Sequence, residues 1–189
     1  GPFAPDVDGN VWGLVAVEVA HTDYGMVRLL KTRDAASVLA AFKDMERELK
    51  VKAGPLAKEI ARVHTDRDGS FEKEFEEHLR EKLVAQTDTG AYRPKSNGRV
   101  ERRIGLLTSA MRAVVWDATA GLKDYQSLWG PAMVIANAAV NREGFEDGRS
   151  PVLQLTGAEA TREDNVHAFG QRVRVHRVRE LRTSKVDTP

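Results

Sequence analysis

Residues 62–71 read RVHTDRDGSF, and this stretch decides how the rest of the sequence is interpreted. Val63 is β-branched and Asp66 closes the run, so the pattern predicts a short strand that ends on an acid. Gly69 then turns the chain, and Phe71 opens a segment with helical spacing. Such an acid is either an ordinary turn residue or a ligand-binding group at the C-terminal edge of a sheet. This stretch alone favours the turn.

The composition is that of a globular protein. The chain has 189 residues, 41% of them hydrophobic, a net charge of +1 and no cysteine. A chain of this length can bury a sizeable core. Without cysteine it has no disulfides and no thiolate metal sites, which is compatible with an intracellular setting. It has no apolar run that could cross a bilayer and no signal-peptide pattern, so we predict no membrane partner.

Strands and helices alternate along the sequence. Residues 11–20 and 26–30 are predicted to form a hairpin, and residues 83–89 a short strand. Helices are predicted over about 35–50, from Phe71 to Leu83, from Val100 to Val114 and over about 124–142. This order predicts a layered α/β domain with a mixed sheet.

Glu101 is the second acid of interest, because it lies in the first turn of the helix with the clearest apolar stripe. A Glu near a helix N-terminus is stabilised by the helix dipole, and most such residues have no other role. Its separation from Asp66 is 101 − 66 = 35 residues. The helix, strand and loop between them can return the long helix to the sheet edge where Asp66 lies.

At this point the sequence resembles a family. VHTDRDGSF (63–71), followed by AYRPKSNGRVER (91–102), is similar to the catalytic core of retroviral and LTR-retrotransposon integrases. Upstream, residues 8–42 resemble the central hairpin and first helix of that core. Downstream, SPVLQLTG (150–157) and HAFGQRVRV (167–175) resemble the segment that follows the core in copia-type elements. The resemblance covers nearly the whole chain.

The resemblance implies a ribonuclease-H-like α/β fold, in which a mixed five-stranded sheet is flanked by helices. It implies a catalytic core over 1–157 and a basic C-terminal extension over 158–189. Asp66 and Glu101 would be the second and third acids of a catalytic triad that holds Mg²⁺ or Mn²⁺. Carboxylates suit this role because Mg²⁺ takes oxygen ligands and keeps several waters.

DNA is the partner that the resemblance implies, together with a homodimer or higher oligomer. The implied setting is intracellular, in the nucleus or a virus-like particle if the host is eukaryotic. Basic side chains beside Glu101 and in the tail are either solvated or bind phosphates. The predicted DNA-binding residues are Tyr92, Arg93, Lys95, Asn97, Arg99, Arg102, Arg103, Arg172, Arg174 and Arg177.

The sequence also departs from the family pattern at its start. In these elements the first catalytic Asp comes a few residues before a Gly-Pro pair, and Gly1 and Pro2 open this sequence. We therefore interpret the sequence as a piece of a longer polypeptide that lacks the first Asp, with its first strand truncated. Asp6 and Asp8 are nearby acids beside a turn, which favours a solvated role. Arg67 places a cation next to Asp66.

Two functions remain open. The first is an integrase-type polynucleotidyl transferase, which performs 3′-end processing and strand transfer of retroelement DNA into target DNA. The second is a catalytically inactive, integrase-derived domain that binds DNA or oligomerises. A metal-dependent nuclease on the same fold would need a further acid in the loop before Glu101, and the sequence has none there. An Asp encoded just upstream of Gly1 would favour the transferase.

Overall fold

The computed structural model describes residues 2–66, 68–88, 97–118, 126–144 and 148–158. The strands are β1 (Trp12–Val17), β2 (Gly25–Leu30), β3 (Arg62–Thr65) and β4 (Ala85–Asp88). The helices are α1 (Ala35–Ala53), α2 (Glu74–Glu81), α3 (Gly98–Ala118), α4 (Trp129–Arg142) and α5 (Pro151–Thr156). In these stretches no helix combines the length and the apolar character that a bilayer crossing requires.

The strands form two separate pairs. β1 and β2 are an antiparallel hairpin, with Trp12 opposite Leu30 and Val17 opposite Gly25. β3 and β4 are parallel and are connected through α2. The fold is thus α/β with both kinds of strand pairing, as predicted. Within the described residues the two pairs share no strand, so the predicted five-stranded sheet is not formed there.

The core lies on both faces of β2, because successive side chains of a strand point to opposite faces. Val27 packs with α3 and α4, whereas Met26 packs with α1 and α5. The first cluster comprises Val27, Leu107, Met111, Val115, Trp129, Ala132, Met133 and Ala136. The second comprises Tyr24, Met26, Met45, Ala53 and Leu155. Neither cluster includes a residue of β3 or β4.

Helix α3 is where the sequence predicted it, but its buried face is rotated. Leu107, Met111 and Val115 are buried, at the spacing of one helix face. Ile104, whose helical spacing from Leu107 and Met111 indicates the same face, is 45% exposed. Arg103 occupies the buried position one turn before Leu107 instead.

The segment after β3 also differs from the prediction. Gly69–Phe71 forms a single 3-10 turn, and α2 begins at Glu74 rather than at Phe71. Leu83 lies beyond the helix, is 92% exposed and has a φ of 58°, the left-handed region that glycine favours. Phe71, Phe75 and Phe42 make ring contacts that pack α2 against α1.

Helix α5 was not predicted from the sequence, although its ends carry ordinary signals. The Ser150 side chain accepts a hydrogen bond from the Leu153 amide, and Pro151 stands at the first helical position. Gly157 ends the helix in the left-handed conformation. The helix has only six residues, too few to show a helical apolar period.

Candidate functional site

Asp66 directly follows β3, so the predicted strand that ends on an acid is confirmed. β3 and β4 are parallel and both end at this edge, where α/β folds place ligands. The Asp66 side chain is exposed. Partial burial and the negative charge of Asp68 raise the pKa of Asp66, and the positive charge of Arg33 opposes the rise. A cation bound beside Asp66 would relieve this repulsion.

Asp68 organises the turn behind Asp66. One of its oxygens accepts a hydrogen bond from the Ser70 amide at 3.0 Å and lies 2.5 Å from the Ser70 hydroxyl. The other oxygen pairs with the guanidinium of Arg33. The Ser70 hydroxyl, with Arg33 as a further cause, holds the pKa of Asp68 below its usual value. We call Asp66 and residues 68–71 the Asp66 loop.

Arg33 is a residue that the sequence analysis missed. Its guanidinium lies over the Trp12 ring, 4.9 Å from the ring centroid, while it pairs with Asp68. No short motif indicates this contact, because Arg33 lies between β2 and α1, 35 positions before Asp68. One side chain therefore touches both the start of β1 and the Asp66 loop.

Glu101 lies in the first turn of α3 and is exposed, which confirms its predicted place. That its carboxylate faces Asp66 remains a prediction. In the described ranges no three His, Cys, Asp or Glu side chains are grouped as a metal ion would require. Asp66 and Glu101 both offer carboxylate oxygens, the type of ligand that Mg²⁺ takes. These two residues therefore offer the type of ligand that the ion requires. The predicted triad needs a third acid in addition to them.

Four predicted DNA-binding residues lie at or next to the start of α3, and the structure is compatible with the prediction for three of them. Asn97 is half-buried just before the helix, and Arg102 is exposed on it. Arg99 is exposed but engaged: it pairs with Asp23 at 2.9 Å and donates to the Val19 carbonyl at 2.8 Å. Arg99 thus fastens the turn of the hairpin to α3. Phosphate binding by these three residues remains a prediction.

Arg103 does not fit the predicted role. It is only 5% exposed, and its guanidinium donates to the side-chain oxygens of Asn137 (2.9 Å) and Asn141. Its Nε has no hydrogen-bond partner among the described residues. Burial lowers the pKa of Arg103. The prediction that Arg103 contacts DNA is therefore wrong, because the side chain is enclosed between α3 and α4.

The same side chain closes over Gly25 at the start of β2. A Cβ on Gly25 would collide with the Arg103 guanidinium, so any side chain at this position would force that buried guanidinium to shift. The Gly25 carbonyl accepts hydrogen bonds from Asn137 (2.9 Å) and Asn141 (2.8 Å), and its amide donates to Asn141 at 2.9 Å. We call these four residues the Gly25 clamp. It binds the hairpin to the two helices behind it.

The N-terminal acids have different environments. Asp6 was predicted to be solvated, but it is 6% exposed, and the prediction is wrong for this residue. Burial alone would raise the pKa of Asp6, yet hydrogen bonds from Asn10 and from the Asp8 and Gly9 amides outweigh it and lower the pKa. These bonds hold Asp6 within its own turn. Asp8 is exposed, as predicted.

Six predicted DNA-binding residues lie outside the described residues. They are Tyr92, Arg93, Lys95, Arg172, Arg174 and Arg177. Arg67, the cation beside Asp66, also lies outside them. Their roles remain predictions.

Comparison with known proteins gives a clear answer for the fold. No protein-family model matches the chain, and no curated protein matches it. Solved structures do match, and the chain has the ribonuclease-H-like α/β fold of retroviral integrase catalytic cores. The resemblance predicted from the sequence is thus confirmed at the level of the fold.

Three of these structures show the extent of the likeness. The HTLV-2 integrase catalytic core domain, solved with magnesium in a trimeric form, is 16% identical with a TM-score of 0.57, over 75% of this chain and 82% of that one. The BIV integrase core is 19% identical with a TM-score of 0.55, over 74% and 81%. A chain of the simian T-cell lymphotropic virus intasome, solved with PP2A regulatory subunit B56 gamma, is 15% identical with a TM-score of 0.61, over 88% and 53%.

Proposed function

We propose that this chain is the catalytic core of an integrase-type polynucleotidyl transferase, which processes 3′ ends of retroelement DNA and transfers them into target DNA. One observation carries the proposal. The fold is shared with integrase cores. In it Asp66 directly follows a strand at the sheet edge and Glu101 lies in the first turn of the long helix, in the order that the family resemblance requires.

The proposed site holds Mg²⁺ or Mn²⁺ through Asp66 and Glu101. When bound, such ions activate the attacking hydroxyl and stabilise the leaving oxygen. The chain's own contribution is to present two carboxylates from different elements. The negative charge of Asp68 adds to the attraction for a cation at Asp66, and Arg33 limits it.

We further propose that a strand upstream of the hairpin completes a five-stranded sheet and carries the first acid. The support is the separation of the two strand pairs within the described residues. A strand placed between β1 and β3 would satisfy backbone groups on both sides. Residues 1–157 would form this core, and residues 158–189 the basic extension.

The DNA partner would lie along the start of α3 and the basic tail. Asn97, Arg99 and Arg102 supply polar or cationic groups close in sequence to Glu101. Arg103 is no longer among the proposed contacts because it is buried. The other proposed contacts are Tyr92, Arg93, Lys95, Arg172, Arg174 and Arg177. The proposal includes a homodimer or higher oligomer and an intracellular setting, in the nucleus or a virus-like particle if the host is eukaryotic.

The alternative is a catalytically inactive descendant that binds DNA or oligomerises. Two observations favour it: no three acids are grouped for a metal within the described residues, and a cation, Arg67, adjoins Asp66. In that case the fold would be kept for binding alone.

Substitution of the two acids separates these functions. In a protein extended upstream to include the first acid, Asp66→Asn and Glu101→Gln should each abolish metal-dependent strand transfer and leave DNA binding largely intact. Residues 1–189 alone should be inactive, because a bridging carboxylate is needed to hold two ions close together. Strand transfer by the Asp66→Asn protein, or by residues 1–189 alone, would contradict the proposed triad. An extended protein that binds DNA but never transfers strands would favour the alternative.

A further inference from the structure

The contact between Arg33 and Asp68 connects two parts of the fold that share no strand within the described residues. Arg33 follows β2 and directly precedes Asp34, whose side chain caps α1 by accepting from the Ser37 amide. Its backbone is therefore fixed by the hairpin on one side and by a capped helix on the other. From this fixed point its guanidinium reaches Trp12 and Asp68.

A second contact holds the same loop to the same backbone. The buried Ser70 hydroxyl lies 3.0 Å from the Arg33 carbonyl and 2.5 Å from Asp68. A hydroxyl has one proton, so Ser70 donates to one of these oxygens at a time. The Asp66 loop is thus attached to Arg33 through the guanidinium and through the carbonyl.

Other contacts hold α2 and leave the Asp66 loop untouched. The Glu46 carboxylate of α1 binds His78 within α2 at 2.9 Å and Lys82, directly after α2, at 2.7 Å. Phe42 packs against Phe75 on the same helix. Loss of the Arg33–Asp68 pair would therefore loosen the Asp68 end of the loop while α1 and α2 stay packed. The other end stays attached, because Phe71 packs on Phe75 and its carbonyl accepts a hydrogen bond from Gln86 at 3.0 Å.

We propose that Arg33 is a positioning residue: acting through Asp68, it fixes the Asp66 loop against the β1–β2 hairpin and so sets where the Asp66 carboxylate is presented. The stacking of the Arg33 guanidinium on Trp12 restricts the orientation of the guanidinium. The ion pair between Arg33 and Asp68 is thereby restricted in its geometry. This inference rests on the proposed role of Asp66 as a metal ligand.

Amide hydrogen exchange tests the link to the loop. The Ser70 amide bonds to the Asp68 side chain and the Phe71 amide to the Asp68 carbonyl at 3.0 Å, so both report loop opening. Arg33→Gln and Asp68→Asn should each speed their exchange about fivefold, as for a half-exposed ion pair with added stacking. The double variant should exchange no faster than Asp68→Asn alone, because Arg33→Gln then has no ion pair left to remove.

Conservative and control variants separate positioning from general destabilisation. Arg33→Lys keeps the charge but loses the planar guanidinium that stacks on Trp12, so it should restore part of the protection. Arg47→Gln removes another surface arginine, paired with Asp44 at 3.3 Å within α1, and should leave the Asp66 loop unchanged. Exchange in β1 and β2 should be the same in all variants. Additive effects in the double variant, or no change on Arg33→Gln, would overturn the inference.

Mn²⁺ titration followed by NMR line broadening separates this inference from the proposed function. In the full chain, Mn²⁺ should broaden the Thr65 and Asp68 amides, and Asp66→Asn should remove the effect. Arg33→Gln should raise the half-saturating Mn²⁺ concentration severalfold, and Arg33→Lys should restore it in part. Unaltered Mn²⁺ binding in Arg33→Gln would overturn the positioning role. If Mn²⁺ broadens neither amide in the unaltered chain, the metal role of Asp66 fails, whereas the exchange result still decides whether Arg33 holds the loop.

Discussion

The Gly25 clamp and the Asp66 loop both hold a proposed functional element in place, but by opposite means. The clamp is enclosed between α3 and α4, beside an apolar cluster, and Arg103 and Asn141 are 5% and 3% exposed. The loop depends on polar contacts at the surface, where the Arg33 side chain is 48% exposed and that of Asp68 is 21% exposed. The helix that carries Glu101 is therefore fixed by burial, whereas Asp66 is held by contacts that water and salt weaken. If these two acids bind a metal ion as proposed, the site would have one rigid side and one adjustable side.

The largest effect is expected from Gly25→Ala, which would break the clamp. The new methyl group would overlap the Arg103 guanidinium, and both are enclosed, so we expect a loss of about 3 kcal/mol in the free energy of unfolding. Urea denaturation would measure it. Gly105→Ala is the matched control, because Gly105 is exposed in α3 with open space around it; it should gain about 0.5–1 kcal/mol. Similar effects of the two substitutions would show that the clamp is loose.

Asn141→Ala tests the polar part of the clamp. It removes the hydrogen bonds to the Gly25 amide and carbonyl and leaves the Arg103 guanidinium with one fewer acceptor. Unsatisfied buried groups are costly, so the free energy of unfolding should fall by about 2 kcal/mol. Asp68→Asn in the loop should cost less than about 1 kcal/mol in the same assay. Equal costs would remove the distinction between the two regions.

Leu83→Gly should stabilise the half of the fold that carries Asp66. The φ of Leu83 is in the left-handed region, which glycine adopts without strain. Because the Leu83 side chain is almost fully exposed, its removal costs little packing. We expect a gain of up to about 1 kcal/mol, offset in part by the greater freedom of glycine in the unfolded chain. Thermal unfolding would measure it. A loss of stability would mean that the Leu83 side chain packs on part of the protein.

The smallest effect concerns Asp66 itself and depends on pH. Because its pKa is raised above 3.8, the folded protein binds this proton more tightly than the unfolded chain does. Ionisation of Asp66 therefore costs stability as pH rises through the folded pKa, and the cost persists at neutral pH. At neutral pH, Asp66→Asn should raise the free energy of unfolding slightly. The gain should be less than about 0.5 kcal/mol because the side chain is exposed. The difference should shrink on acidification, and a destabilised variant would indicate a structural role.

The sequence predicted those features that depend on neighbouring residues. The hairpin, the strand that ends at Asp66 and the long helix with Glu101 in its first turn all follow from local periodicity and turn residues. The similarity to the fold of integrase cores was predicted from several motifs that occur in the family's order along the chain. Each of these signals lies within a few residues, where spacing alone is informative.

The errors have a common physical origin. A charged residue such as Arg103 is normally assigned to the surface, and its hydrogen-bond partners Asn137 and Asn141, more than thirty positions away, help to make its burial acceptable. Because Arg103 lies on the buried face of α3, the neighbouring Ile104 lies on the more exposed side. The contact between Arg33 and Asp68 is equally distant in sequence. Partners of this kind are set by tertiary packing, which no local pattern reports.

The Gly25–Asn141 hydrogen bond also has a consequence for how the chain folds. It joins residues 116 positions apart, whereas the β1–β2 hairpin closes over a short turn. Bringing distant segments together costs loop entropy, so the hairpin should form early and the clamp late. Asn141→Ala should then accelerate unfolding and leave the refolding rate nearly unchanged, which stopped-flow kinetics can resolve. The residue that locks the hairpin to the helices would thus govern how long the native state lasts, and not how quickly it is reached.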